Sequence, residues 1–222
     1  MAFSSQVTEA VPAWRDRALR RSLDPAATRS MARLERLLDA VRELTDEADD
    51  ASFTVAEVAA RAGVSLKTFY RSFASKDDLL LALLEEESRT GTAMLRDALE
   101  QASGPTARLE RYVVSLFKLA RMAPGYARVL VRQYRRLGTD RPRELAAALA
   151  PLVDLLEAEI EEARAAGAAL PGDPARAAEI VFALLLEGLA EVTLTGRDGR
   201  EVVESVWRFV AGGLGIETKG TI

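Results

Sequence analysis

The sequence predicts an all-α protein. Apolar residues recur at helical spacing along most of the chain, as in Leu34, Leu37, Leu38, Val41 and Leu44. Cap signals stand where such stripes begin: Asp24-Pro25, Thr54 with Glu57, Ser75 with Asp78, and Asp173-Pro174. No segment reads as a convincing strand, and there is no internal repeat or low-complexity tract.

At 222 residues, 49% of them apolar, the chain can bury a substantial core as one large domain or two small ones. It has neither cysteine nor histidine. That excludes disulfides, thiol catalysis, zinc-finger ligation and any histidine-based mechanism. The net charge of −4 argues against nucleic acid as a sum, but its distribution does not. Arg15, Arg17, Arg20, Arg21, Arg29, Arg33 and Arg36 cluster near the N-terminus; the acids gather at Asp46, Glu47, Asp49, Asp50 and Glu85 to Glu87. No apolar run reaches the roughly 18 residues of a membrane span. The N-terminus lacks signal-peptide character, so a cytoplasmic protein is expected.

Residues 1–23 read as a flexible basic arm with Trp14 among arginines, either a loose tail or an arm that touches DNA. Helix one starts at Pro25 and ends in the acidic run Asp46 to Asp50. Helix two opens on the Thr54/Glu57 capping box, with Val55, Val58 and Ala59 apolar. Gly63 stops it, since glycine accepts the left-handed conformation of a C-terminal cap. Ser65 caps helix three, Leu66 to about Phe73. Phe69 and Phe73 fall on one side at i, i+4, where they lock the helix into the core. Leu66, Lys67, Thr68, Tyr70, Arg71 and Ser72 take the other sides. Ser75 opens helix four, striped by Leu79, Leu80, Leu83 and Leu84 and continuing through Met94, Leu95 and Leu99 to about Ala102.

Two short helices joined by a glycine-containing turn match a helix-turn-helix, whose second helix enters the DNA major groove. Arg61, Lys67, Arg71 and Lys76 lie in residues 61–76, which hold no acid, a field suited to a phosphate backbone. This stretch resembles the TetR family of transcriptional repressors, whose pattern runs roughly T-x-x-x-I-A-x-x-A-G-V-S-x-x-x-x-Y-x-x-F-x-x-K-x-x-L. The chain keeps Thr54, Val58 for the isoleucine, Ala59, Ala62, Gly63, Val64, Ser65, Tyr70, Phe73, Lys76 and Leu79. Asp49, Asp50 and Ala51 stand where the family usually has a glycine. The resemblance covers roughly Leu34 to Leu84. It implies base reading by Lys67, Thr68, Tyr70 and Arg71, with Leu66 against a thymine methyl. It also implies phosphate contacts from Thr54 and Lys76, each at a helix N-terminus that favours an anion. The plainer alternative makes Tyr70 partly core, Thr54 and Ser75 only caps, and Arg71 a solvated charge.

Beyond Ser103-Gly104-Pro105, helix five is expected over about Thr106 to Met122 and helix six over about Gly125 to Leu137. Helix seven runs to about Ala166, with Pro151 expected to kink it or break it in two. Helix eight runs from Pro174 to about Thr195 and helix nine over about Arg200 to Gly212. The expected organisation is an arm at 1–23, a three-helix DNA-binding domain at 24–76, a helical effector-binding and dimerisation domain at 77–214, and a frayed tail at 215–222.

Helices eight and nine carry apolar faces, with Val181, Leu184, Leu185 and Gly188 on one and Val203, Val206, Trp207 and Val210 on the other. The family resemblance implies that they meet their copies in a four-helix homodimer interface, which places two reading helices about one DNA turn apart, roughly 34–36 Å, on a near-palindrome. The alternative is burial of those stripes in a monomer. Met94, Tyr112, Phe117, Met122, Tyr126, Tyr134 and Phe182, with polar help from Arg132, form a mix suited to a small apolar effector, or to plain core packing.

For an enzyme the sequence offers no catalytic residue, cofactor site or metal-ligand spacing. Glu85 to Glu87 and Glu157, Glu159, Glu161 and Glu162 have no histidine to complete a di-iron site and read as solvated faces. A helical adaptor binding only protein would leave Lys67, Arg71 and Lys76 without a role. The reading is a dimeric DNA-binding regulator, a repressor released from its operator by an apolar effector. The alternatives are such an adaptor or a regulator with no small-molecule effector.

Overall fold

The structure is a computed structural model that describes residues 25–47, 52–169 and 172–216. Among these residues the chain forms α1 (Pro25–Glu47), α2 (Val55–Arg61), α3 (Leu66–Ser72), α4 (Lys76–Leu99), α5 (Pro105–Met122), α6 (Pro124–Asp140), α7 (Pro142–Ala165), α8 (Pro174–Thr195) and α9 (Gly199–Gly213), and no strand. The basic arm, the acidic connection at 48–51 and the last six residues lie outside the described residues. No described helix is long and apolar enough to cross a membrane.

The helix starts follow the capping chemistry. Thr54 accepts from the Glu57 amide at 3.2 Å, and the Glu57 carboxylate accepts from the Thr54 amide at 2.7 Å, closing a capping box. Ser65 and Ser75 cap α3 and α4 through the Thr68 and Asp78 amides. Gly63 sits at φ 65°, and the Val64 amide reaches back to the Ala59 carbonyl, which reverses the chain between α2 and α3. Five helices open on proline, at Pro25, Pro105, Pro124, Pro142 and Pro174. Asp173 makes no side-chain cap bond, whereas Asp198 caps α9 through the Arg200 and Glu201 amides.

Pro151 does not interrupt α7, which runs unbroken from Pro142 to Ala165. The proline removes one hydrogen bond to the Ala147 carbonyl. Against that loss α7 buries Leu145, Leu149, Leu152, Leu156 and Ile160 against α4, α5 and α8. Each such side chain contributes about 1.5–3 kcal/mol, so packing decides. Of the tail expected to fray from residue 215, only Gly215 and Ile216 are described, and Ile216, like Leu214 before it, is buried in the C-terminal core.

Two hydrophobic cores form, and α4 belongs to both. Leu79, Leu80, Ala82 and Leu83 pack with Leu37, Leu38, Val41, Val58, Phe69 and Phe73. Leu81, Leu84, Leu95 and Leu99 pack with α5 to α9. This explains the run Leu79 to Leu84: a helix buried on opposite sides needs leucine all round. The first two turns of α4, beyond the boundary expected at Lys76, therefore seat the N-terminal helices.

Two glutamates read as solvated are not. Glu159 is only 2% exposed and forms a two-pronged ion pair with Arg108, whose Nε donates to Oε2 at 2.6 Å. Glu87 is half-buried and accepts from Arg42 Nε at 2.6 Å.

Candidate functional site

The outer face of α3 is built by what its inner face does. Phe69 is fully buried, its ring edge-on to Tyr70 at 5.3 Å and 5.9 Å from Phe73. That anchoring turns Leu66, Lys67, Tyr70 and Arg71 outward, all exposed, with Tyr70 at 56%. Thr68 is half-buried, its hydroxyl 2.9 Å from that of Ser65. Lys67 and Arg71 make no ion pair or hydrogen bond among the described residues. An exposed leucine and tyrosine flanked by two free cations form a surface able to touch base edges and phosphates together.

The positive field is narrower than the sequence implied. Arg61 is spent on α1, pairing with Glu47 at 2.8 Å and Glu43 at 3.1 Å. The Lys76 ammonium hydrogen-bonds the Phe53 carbonyl and lies 4.1 Å from the centre of the Phe53 ring. Lys76 thus ties the start of α4 to the segment before α2. Desolvation is the main cause lowering its pKa. Thr54 is exposed at the start of α2, where its amide and hydroxyl both engage Glu57.

Between α4, α5, α6, α7 and α8 lies a cavity of about 260 Å³. Met94, Met122, Tyr126 and Phe182 line it, as expected, with Gly91, Leu116, Leu130 and Leu186 among the other apolar walls. Tyr112, Phe117, Arg132 and Tyr134 do not. Tyr112 is fully buried and donates to the Leu152 carbonyl at 2.9 Å, which accounts for its hydroxyl by core packing. Phe117 packs towards Gly188, Arg132 is exposed, and Tyr134 packs against the core elsewhere. Glu87 and Thr90 also line the cavity and were missed; Glu87, Thr90, Gly91 and Met94 recur at i, i+3, i+4 and i+7, which was the available signal. The Tyr126 hydroxyl is buried beside Ser88 and makes no hydrogen bond of ordinary geometry among the described residues. Burial raises its pKa, Ser88 beside it pulls the other way, and the Glu87 charge adds to the rise.

The apolar face expected to meet a second copy is largely consumed inside the protomer. Val181, Leu185, Gly188, Val206, Trp207 and Val210 are buried, and only Leu184 and Val203 are partly exposed. A Cβ on Gly188 would come 2.9 Å from both Phe117 and Val206, so this glycine lets α8 approach α5 and α9 of its own chain. The outward apolar residues are Ile180, Leu194 and Phe209, the last 73% exposed.

Several contacts join the two cores. The Gly125 amide at the start of α6 donates to Asp46 at 3.2 Å, and Arg128 Nη2 donates to the Thr45 carbonyl at 3.1 Å. A Cβ on Gly125 would lie 2.8 Å from the Thr45 carbonyl, so glycine is required for this approach. Arg42 of α1 pairs with Glu87 of α4, while Arg136 and Arg141 hold Asp77 and Asp78 in the first turn of α4. The Arg136 hydrogen bonds are the main cause holding Asp77 below its ordinary value. A lowered carboxylate contributes stability that is present above its unfolded value, about 3.9, and lost as pH falls through the lower folded value. Acid titration is therefore expected to loosen the α4–α6 joint below about pH 4, and Arg136→Gln to remove that part of the pH dependence, as read by melting temperature against pH.

A family profile described as "Bacterial regulatory proteins, tetR family" matches residues 37–83. No match is found among curated proteins. Among solved structures, the fatty acid degradation regulator FadR from Bacillus halodurans is 23% identical with a TM-score of 0.67, over 81% of this chain and 98% of that one. FadR from Bacillus subtilis in complex with stearoyl-CoA is 18% identical with a TM-score of 0.66, over 81% and 98%. Thermus thermophilus FadR, a transcriptional repressor in complex with lauroyl-CoA, is 21% identical with a TM-score of 0.65, over 85% and 98%. The segment that holds the helix-turn-helix thus matches the TetR family's profile, and the helices that follow share the fold of these solved structures.

Proposed function

We propose that the protein binds a near-palindromic operator as a homodimer, represses transcription from it in the cytoplasm, and is released by a small, largely apolar effector. The outward face of α3 carries this reading: Leu66, Lys67, Tyr70 and Arg71 stand exposed on a helix whose other side is locked by Phe69 and Phe73. Selection of bound fragments from random or source-genome DNA by the purified protein tests it. Enrichment of a near-palindrome is the expected result, and no enrichment from a folded dimer would turn the reading towards a protein-binding role.

On the selected operator, Tyr70→Ala is expected to cost about 1–3 kcal/mol of affinity and to relax the base preference it reads. Lys67→Ala is expected to weaken operator binding and, with one cation removed, to reduce the salt slope by about one. A selected operator bound equally well by Tyr70→Ala would remove that side chain from the reading surface.

For the dimer we assign the face that α8 and α9 leave outward, centred on Ile180, Leu184, Leu194 and Phe209. An exposed phenylalanine on a helix ending in Gly212 and Gly213, both open to solvent, suits close approach of a second copy. Phe209→Asp is expected to give a folded monomer with sharply weakened operator binding; sedimentation that still shows a dimer would move the interface elsewhere.

The cavity supports the effector role by its apolar walls and its position between α4 and α6, both of which touch α1. An effector that prefers an arrangement unsuited to DNA would weaken operator binding by its differential affinity, about 1–3 kcal/mol of coupling.

A further inference from the structure

Among the described residues Glu87 is the one charged side chain on the cavity wall, and the same carboxylate holds Arg42 of α1. We propose that the cavity takes an apolar molecule bearing a cationic amine, which pairs with Glu87 in place of Arg42 and so breaks the ion pair that ties α1 to α4. This rests on reading the cavity as the effector site.

The argument is one of charge balance in a half-buried place. The Glu87 side chain is 19% exposed and its Oε1 lies 2.6 Å from Arg42 Nε. A carboxylate at that depth loses much of its hydration and needs a positive partner. A neutral ligand leaves Arg42 as the better partner and the joint intact. An anion is repelled by Glu87. A ligand ammonium brings the replacement charge, so Glu87 stays paired while Arg42 is free to leave. Arg42 has somewhere to go: it is partly exposed and already pairs with Asp39 at 2.6 Å. The Tyr126 hydroxyl, buried on the same wall beside Ser88, supplies a neutral acceptor or donor for the rest of a polar head. The remaining walls, such as Met94, Leu130 and Phe182, suit an alkyl or aryl body.

By linkage, a ligand that competes with Arg42 must bind tighter when Arg42 is removed. The probes are octylammonium, octanol and octanoate, which share one apolar length and differ in head charge, titrated into the full chain by calorimetry. Octylammonium is expected to bind at least about tenfold tighter than the other two. Glu87→Gln is expected to erase that preference, and Arg42→Gln to raise octylammonium affinity. On the selected operator, octylammonium is expected to weaken DNA binding by roughly 5- to 150-fold. Octanol or octanoate binding as well as octylammonium to the wild-type chain would overturn the proposal whether or not the variants fold. Unchanged or weaker octylammonium binding by folded Arg42→Gln would overturn the competition. Binding of none of the three would instead overturn the effector-site reading beneath it.

Discussion

Phe69→Ala is expected to abolish operator binding while the C-terminal helices stay folded. The side chain is fully buried at the centre of the smaller core, in ring contact with Tyr70 and Phe73. Truncating a buried phenylalanine costs about 3–5 kcal/mol. The seven-residue α3 has little intrinsic helix stability to set against that loss. The larger core shares no phenylalanine with the smaller one and holds its own leucines of α4, Leu81, Leu84, Leu95 and Leu99. Melting followed by total helicity should then separate into two transitions, the N-terminal one first. A single transition at the wild-type midpoint would show that the two cores unfold as one and that Phe69 is not the seat of α3.

Arg108→Ala is expected to destabilise the C-terminal core by about 3 kcal/mol, because it strands a buried carboxylate. Glu159 of α7 is 2% exposed and both its oxygens are taken by Arg108 of α5; Glu162, 3.8 Å from the same guanidinium, carries the same charge as Glu159 and offers it no compensation. At the usual ratio for a domain of this size the melting temperature should fall by roughly 6–12 °C. Replacing both members, Arg108→Met with Glu159→Leu, should recover most of the loss, since an apolar pair of similar volume removes the need for compensation. A double variant no more stable than Arg108→Ala would mean that the side-chain stems, rather than the charges, hold α5 to α7.

The helix-turn-helix was legible because its signals are local. Thr54 and Glu57, Gly63, Ser65, and the Phe69/Phe73 spacing each act within four residues, so chain order alone specifies the bonds they make. Nine helices could be placed to within a few residues among the described ones for the same reason. Of the kink or break expected at Pro151 the break is absent, because the proline's local cost is visible in the chain and the leucines that offset it act through distant partners. Arg61 entered the positive field because its partners Glu43 and Glu47 lie on another helix.

What the sequence by itself determined is the all-helical class, the helix-turn-helix and which face of its second helix is locked, since those follow from capping and periodicity along one segment. Only the tertiary structure decided which apolar residues of α8 and α9 face inward. The run from Ile180 to Leu186 is apolar on every side of the helix, so periodicity carries no direction there; packing against Phe117, Val202 and Val206 sets it and leaves Ile180, Leu194 and Phe209 outside. The same holds for Glu87. On the chain it is one of three consecutive glutamates; in the fold it is the cavity's carboxylate and the partner of Arg42, because a charge acquires its role from what lies within hydrogen-bond reach across space.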